Sequence, residues 1–198
     1  MCQLISIDLA AIRKHALLIL YIGLVTLQSM YFFVTYENFP HAGVAGTDQV
    51  AYYSFVASVV VDHDLDMRNQ LYDLNYNSHG IRRWDSLPRS PHNGLPFNRY
   101  PVGYSLMVTP TFLSAHALSH ILFAISSSEL FQPNGYTLIY EFMAVLSTIF
   151  YAALAFYLLT LALSDLFPQK VCQWTVFVMF LAYPGSYYTV WGWANSHI

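Results

Sequence analysis

Charge is what this chain of 198 residues has least of: 10% of its residues are Asp, Glu, Lys or Arg, against roughly 25% in an ordinary soluble domain. With 56% hydrophobic residues and a mean hydropathy of +0.42, too little polar surface remains to cover a water-soluble fold. Cysteine is nearly absent. Cys2 and Cys172 are the only two, and both fall in segments expected near the cytoplasmic face, so no disulfide framework is implied. An excess of basic residues is missing as well. The formal net charge is −3, which removes the electrostatic footprint of a nucleic-acid binder. No small-residue cleavage site follows the first apolar stretch, so that stretch reads as an uncleaved anchor and not as a signal peptide.

What the chain does have is long apolar runs. Residues 15–35 contain no Asp, Glu, Lys or Arg, enough to cross a bilayer as a helix at roughly 1.5 Å per residue. Residues 138–163 carry only Glu141 near their start, and 171–191 carry no charge. Of the 8 basic and 11 acidic residues, 12 lie between Glu37 and Arg99, which makes 36–137 a long polar loop. Arg13 and Lys14 precede the first run and Lys170 lies between the last two. By the positive-inside rule these positions are cytoplasmic and the loop is outside. The expected fold is an all-α membrane protein with about three transmembrane helices, forming one multi-span unit over residues 1–198. Amphipathic juxtamembrane helices are expected within the loop, near 48–61 and 102–125.

The segment 102–125 is apolar but holds Pro110, His116, His120 and several hydroxyls. Ser105, Thr109, His116 and His120 share one helical face. The segment reads as lying in the outer interface or dipping partly into it. Three spans then return Asn195, Ser196 and His197 to the side that holds Asp48, whereas a full crossing by 102–125 would send them to the cytoplasm. His116 and His120, one turn apart, have the spacing of a metal or haem pair, but no third ligand is evident and a polar helix face explains them more simply.

Thr47 or Asp48 can cap the helical run 49–61, and Asp48 then serves only backbone N–H groups. Asp62, Asp64 and Asp66 alternate as at the start of a calcium loop, but Met67 stands where that loop needs glycine, so a solvated turn is expected. Prolines 88, 91 and 96 break regular structure before Phe97-Asn98-Arg99-Tyr100-Pro101. Proline holds Tyr100 extended and lets a helix start after it, with Arg99 at the mouth of that helix. Its planar fork suits phosphate oxygens, of a substrate or of lipid headgroups, and suits a loop carboxylate equally.

Taken together, Asp48 after a first span, the Tyr52-Tyr53 pair, Arg99-Tyr100-Pro101 with Gly103-Tyr104, and Ala182-Tyr183-Pro184 followed by Tyr187-Tyr188 resemble the N-terminal part of a GT-C type integral-membrane glycosyltransferase. The likeness is to the bacterial aminoarabinose, mannosyl and galacturonosyl transferases that use polyprenyl-phosphate sugars. It implies transfer of a sugar from that lipid donor to an acceptor at the outer face of the plasma membrane. Asp48 matches the acidic residue at the reaction centre, and Arg99 the basic residue that contacts the lipid-linked phosphate. Asn195 and His197 fall where a second acidic or histidine-containing cluster follows the third span, with Asn195 in place of a carboxylate. Tyr52 and Tyr53 line the substrate groove. The resemblance allows a divalent cation, for which Asp48 and His197 are the candidate ligands. Members are longer, with more spans, so the expectation is a first part of a catalytic module that lacks turnover alone. The competing expectation is a noncatalytic membrane protein, a transporter piece or assembly subunit, in which Asp48 caps a helix and Arg99 anchors to headgroups.

Overall fold

The computed structural model describes residues 47–70, 89–95 and 97–182, together with seven residues of the first apolar run between Gly23 and Val34. Among the described residues the secondary structure is helical and contains no strand. Helix α1 spans Thr47–Ala57 and continues as a π-helical turn, Ser58–Asp62. Helix α2 spans Gly103–Ser126, a 3-10 turn covers Glu129–Phe131, and α3 and α4 span Leu138–Ser164 and Gln169–Ala182. Helices α2 and α3 are each long and apolar enough to cross a membrane.

Helix α1 has apolar residues on almost every side, and such a helix must be enclosed. Val50 through Ser58 are buried except for half-buried Phe55. Its two serines fit that setting because their hydroxyls are satisfied nearby: Ser54 Oγ donates to the Ala51 carbonyl at 2.9 Å and Ser58 Oγ to the Asp64 carbonyl at 3.1 Å. The π turn ends at His63, whose left-handed conformation (φ 61°) brings its N–H to the Ser58 carbonyl. The aspartates that follow are used locally, as a solvated turn requires. Asp64 Oδ1 accepts from Ser58 Oγ and from the Asp66 N–H, Asp66 pairs with Arg68, and Asp62 accepts from Gln70. The exposed Arg68 donates to the half-buried Asp66 carboxylate and holds its pKa below the usual carboxylate range.

The main core lies where α1, α2 and the start of α3 meet, around Val50, Tyr53, Val56, Phe112, Tyr136 and Tyr140. Aromatic rings dominate it. Tyr53 lies 5.5 Å from Phe112 and 5.4 Å from Tyr136, and Phe112 lies 5.0 Å from Tyr140, in the tilted geometries that ring quadrupoles favour. Gly135 turns the chain into this core at φ +88°, with its Cβ position 3.3 Å from Val61 Cγ2. A smaller core around Val145 and Ile149 receives Tyr31 of the first apolar run, and Phe33 packs on Phe142 with ring centroids 5.0 Å apart. Helix α4 lies against α3 through Phe156 and Phe180, with ring centroids 5.4 Å apart. The sequence places a third span at 171–191, of which 183–191 lie outside the described residues.

Helices α2 and α3 run antiparallel and out of step. Tyr140 reaches His116 while Tyr151 reaches the Met107 carbonyl, so α3 rises as α2 descends. Beyond these contacts α2 runs on from His116 to Ser126, and α3 from Tyr151 to Ser164. The axial offset is on the order of 15 Å at about 1.5 Å per residue. Helix α2 therefore lies along α3 rather than across it, and begins beside its middle. Pro110 has no N–H and leaves the Leu106 carbonyl without its usual donor. The Tyr151 hydroxyl donates at 2.9 Å to the adjacent Met107 carbonyl and so ties α3 to α2 beside this point.

Candidate functional site

Tyr52 is the point around which the sequence-predicted residues gather. Its ring meets Tyr100 edge-on with centroids 4.9 Å apart and lies 6.2 Å from Tyr104, at the first turn of α2. Arg99 lays its guanidinium over the outer side of that group, 5.5 Å from the centroid of the Tyr100 ring. A cation at this distance over an aromatic ring gains about 0.5–1 kcal/mol at an exposed position. Arg99 is exposed while Tyr52 is buried, so the charge sits at the edge of an aromatic platform rather than inside it.

The platform holds because the turn before α2 is fastened to α1. Asn98 Nδ2 donates to the Ala51 carbonyl at 2.7 Å and to Ser54 Oγ at 3.1 Å, and Asn98 Oδ1 accepts the Tyr100 N–H at 3.1 Å. Ser105 Oγ donates to the Tyr52 carbonyl, a second tie between the same two elements. Asp48 lies in α1 one turn before Tyr52, a spacing that puts both positions on one helical face. Its side chain is outside the described residues. Asn195 and His197 also lie outside the described residues, and with them the second cluster read from the sequence. The structure thus brings Tyr52 and Arg99 together through Tyr100, with the Asp48 position one turn away.

Tyr53 belongs to a different environment. One residue further round the helix, it points into the main core, is wholly inaccessible to solvent and donates its hydroxyl to the Gly135 carbonyl at 3.0 Å. Burial raises its pKa well above 10, reinforced by the neighbouring Tyr136 phenol and Glu141 carboxyl. Burial likewise raises Tyr136, with Asp62 and Glu141 adding to the effect.

Two residues of this region carry more than their sequence suggested. Asn98 was legible only as part of a proline-rich turn, although asparagine before such a break is a common source of side-chain to backbone bonds. Glu141, in the first turn of α3, has no solvent exposure. A lone acid in an otherwise charge-free run is the signal that could have marked it, since such residues are costly to enclose. On the far part of α2, His116 Nδ1 lies 2.5 Å from Tyr140 Oη and His116 Nε2 lies 3.3 Å from His120 Nε2. Among the described residues no three His, Cys, Asp or Glu side chains are grouped to hold a metal ion.

Among the described residues, fold and site define a mostly helical protein without strands, with two helices suited by length and composition to a membrane and an arginine-capped aromatic platform where α1 meets α2. Comparison with known protein families, with curated proteins and with solved structures finds no match.

Proposed function

We propose that the chain is the N-terminal part of a membrane glycosyltransferase that moves a sugar from a polyprenyl phosphate to an acceptor hydroxyl. The observation that carries this reading is the Tyr52–Tyr100–Arg99 platform, joined to the helix on which Asp48 stands one turn from Tyr52. Aromatic faces are suited to the apolar face of a sugar or to a prenyl chain, and the fork of Arg99 to phosphate oxygens. In the transfer, Asp48 takes the acceptor's proton as general base, a bond forms from the acceptor oxygen to the anomeric carbon, and the bond from that carbon to the phosphate oxygen breaks. Arg99 stabilises the charge that leaves on the phosphate. One displacement inverts the anomeric centre.

The reading places the protein in a bacterial plasma membrane with the loop outside. It is tested by reconstituting the intact protein with a radiolabelled polyprenyl-phosphate sugar. Asp48→Asn is expected to reduce transfer at least 100-fold with expression intact, and Arg99→Ala to weaken protection by polyprenyl phosphate against thermal unfolding. Unchanged transfer in Asp48→Asn removes that residue from the mechanism.

One observation favours a second reading, a noncatalytic membrane protein. Helix α2 starts beside the middle of α3, so if α3 spans symmetrically the Arg99 platform lies near mid-bilayer depth, where carriers place their ionisable groups. Under that reading Arg99→Ala changes membrane insertion or assembly, and Asp48→Asn leaves sugar transfer in the same membranes untouched.

A further inference from the structure

Along α2, about 18 Å from Tyr104 at roughly 1.5 Å per residue, two imidazoles meet nitrogen to nitrogen. His116 Nε2 and His120 Nε2 are 3.3 Å apart and their rings stand at 88°. The two Nε2 atoms lie within hydrogen-bonding reach of each other. Two zinc–nitrogen bonds of about 2.0–2.1 Å at a tetrahedral angle hold their nitrogens roughly 3.3–3.4 Å apart. The observed separation is that bite.

The other nitrogen of His116 is also arranged for such a role. Nδ1 lies 2.5 Å from the hydroxyl of Tyr140, itself buried in the main core. When Nδ1–H donates to that oxygen, the imidazole is fixed in the tautomer whose Nε2 lone pair is available, the arrangement that metal-bound histidines use. The Phe112 ring runs nearly parallel to His116, at 15° and 6.5 Å, and limits its rotation. No other part of the described chain covers His120, which is exposed. Imidazole pairs suit zinc and its neighbours, not magnesium or calcium, which take oxygen ligands.

We propose that His116 and His120 together chelate one Zn²⁺-class transition ion, with Tyr140 as the positioning residue behind His116. Because no third His, Cys, Asp or Glu joins them among the described residues, the remaining coordination positions go to water or to an oxygen of an external ligand. The site is separate from Arg99 and does not depend on the transferase reading.

The test is calorimetric titration of the detergent-solubilised chain with Zn²⁺ alone, repeated with Co²⁺, whose visible bands report tetrahedral coordination. His120→Gln is expected to weaken binding at least 10-fold with helical circular dichroism unchanged, since His120 is exposed. His116→Gln is expected to do the same, and Tyr140→Phe to weaken binding roughly 10-fold. His92→Gln, on an exposed turn, is expected to leave the titration as it was, as is Arg99→Ala. Binding in His120→Gln equal to that of the unsubstituted chain, or no Zn²⁺ uptake by the latter, overturns the proposal and leaves the transferase reading standing.

Discussion

The hydroxyl of Tyr53 donates to the carbonyl of Gly135 at 3.0 Å, across 82 residues of sequence. This bond ties α1 to the loop that leads into α3, and both ends of it lie in the aromatic core. The candidate site on the neighbouring residue, Tyr52, is therefore mounted on a helix whose opposite side is anchored.

Removing the hydroxyl alone separates the bond from the packing. Tyr53→Phe is expected to cost about 1–2 kcal/mol, because the Gly135 carbonyl is left enclosed without that donor. Tyr53→Ala adds a cavity among Phe112 and Tyr136 and is expected to cost about 3–5 kcal/mol. Denaturation in detergent, followed by circular dichroism, measures both; an undiminished stability in Tyr53→Phe would mean that the bond contributes nothing.

At the other end of the same contact, Gly135→Ala meets two obstacles. The backbone sits at φ +88°, and the added Cβ would lie 3.3 Å from Val61 Cγ2 and 3.5 Å from both Ala57 Cβ and Phe112 Cζ. A loss of about 1–3 kcal/mol is expected, read from the same unfolding curves. Gly94 also has positive φ, +69°, but open space around it, so Gly94→Ala should cost less than Gly135→Ala.

Alkaline titration gives the sign of the buried phenols. Tyr53 and Tyr136 are held protonated well above the ordinary tyrosine value of 10.0, whereas in the unfolded chain both ionise near it. Their effect on stability is constant below pH 10; above it the unfolded state loses protons that the folded state keeps, and stability falls as pH rises. Tyrosinate absorbance should show a first step from accessible phenols and a later, cooperative step coincident with unfolding. Tyr53→Phe should shrink only the later step.

Asn98 is the residue on which the placement of Arg99 depends. Asn98→Asp removes the donor to the Ala51 carbonyl and sets a carboxylate against it, so a loss of about 1–3 kcal/mol is expected. If the transferase reading holds, the same substitution lowers affinity for polyprenyl phosphate although Arg99 itself is intact. Asn98→Asp with unchanged stability would show that the turn is held by its prolines alone.

The helices themselves were readable because their cause is local. An apolar run favours helix because its backbone bonds close within the segment, and 138–164 is helical, as is 103–126, which the sequence marks as an amphipathic helix of the interface. The start of α2 after Tyr100-Pro101 was readable for the same reason, since proline acts on its immediate neighbours. The aspartates near 62–66 were readable as a turn because Met67 cannot replace the glycine of a calcium loop. What sequence spacing concealed was any partner far along the chain. Nothing near Tyr53 points to Gly135, nothing near Asn98 points to Ala51, and the charge-free surroundings of Glu141 hide the tyrosines beside it.

Composition and periodicity alone determined that this chain is helical, poor in charge outside one loop, and provided with apolar runs of membrane-spanning length, because burying backbone amides away from water leaves few alternatives. Only the tertiary structure decided that Tyr52 faces Arg99's platform while Tyr53 faces the core, that α2 lies beside α3 half a helix out of step, and that Tyr140 stands behind His116. Those outcomes depend on how rings from distant segments fill a shared volume, and close packing is a property of all of them at once.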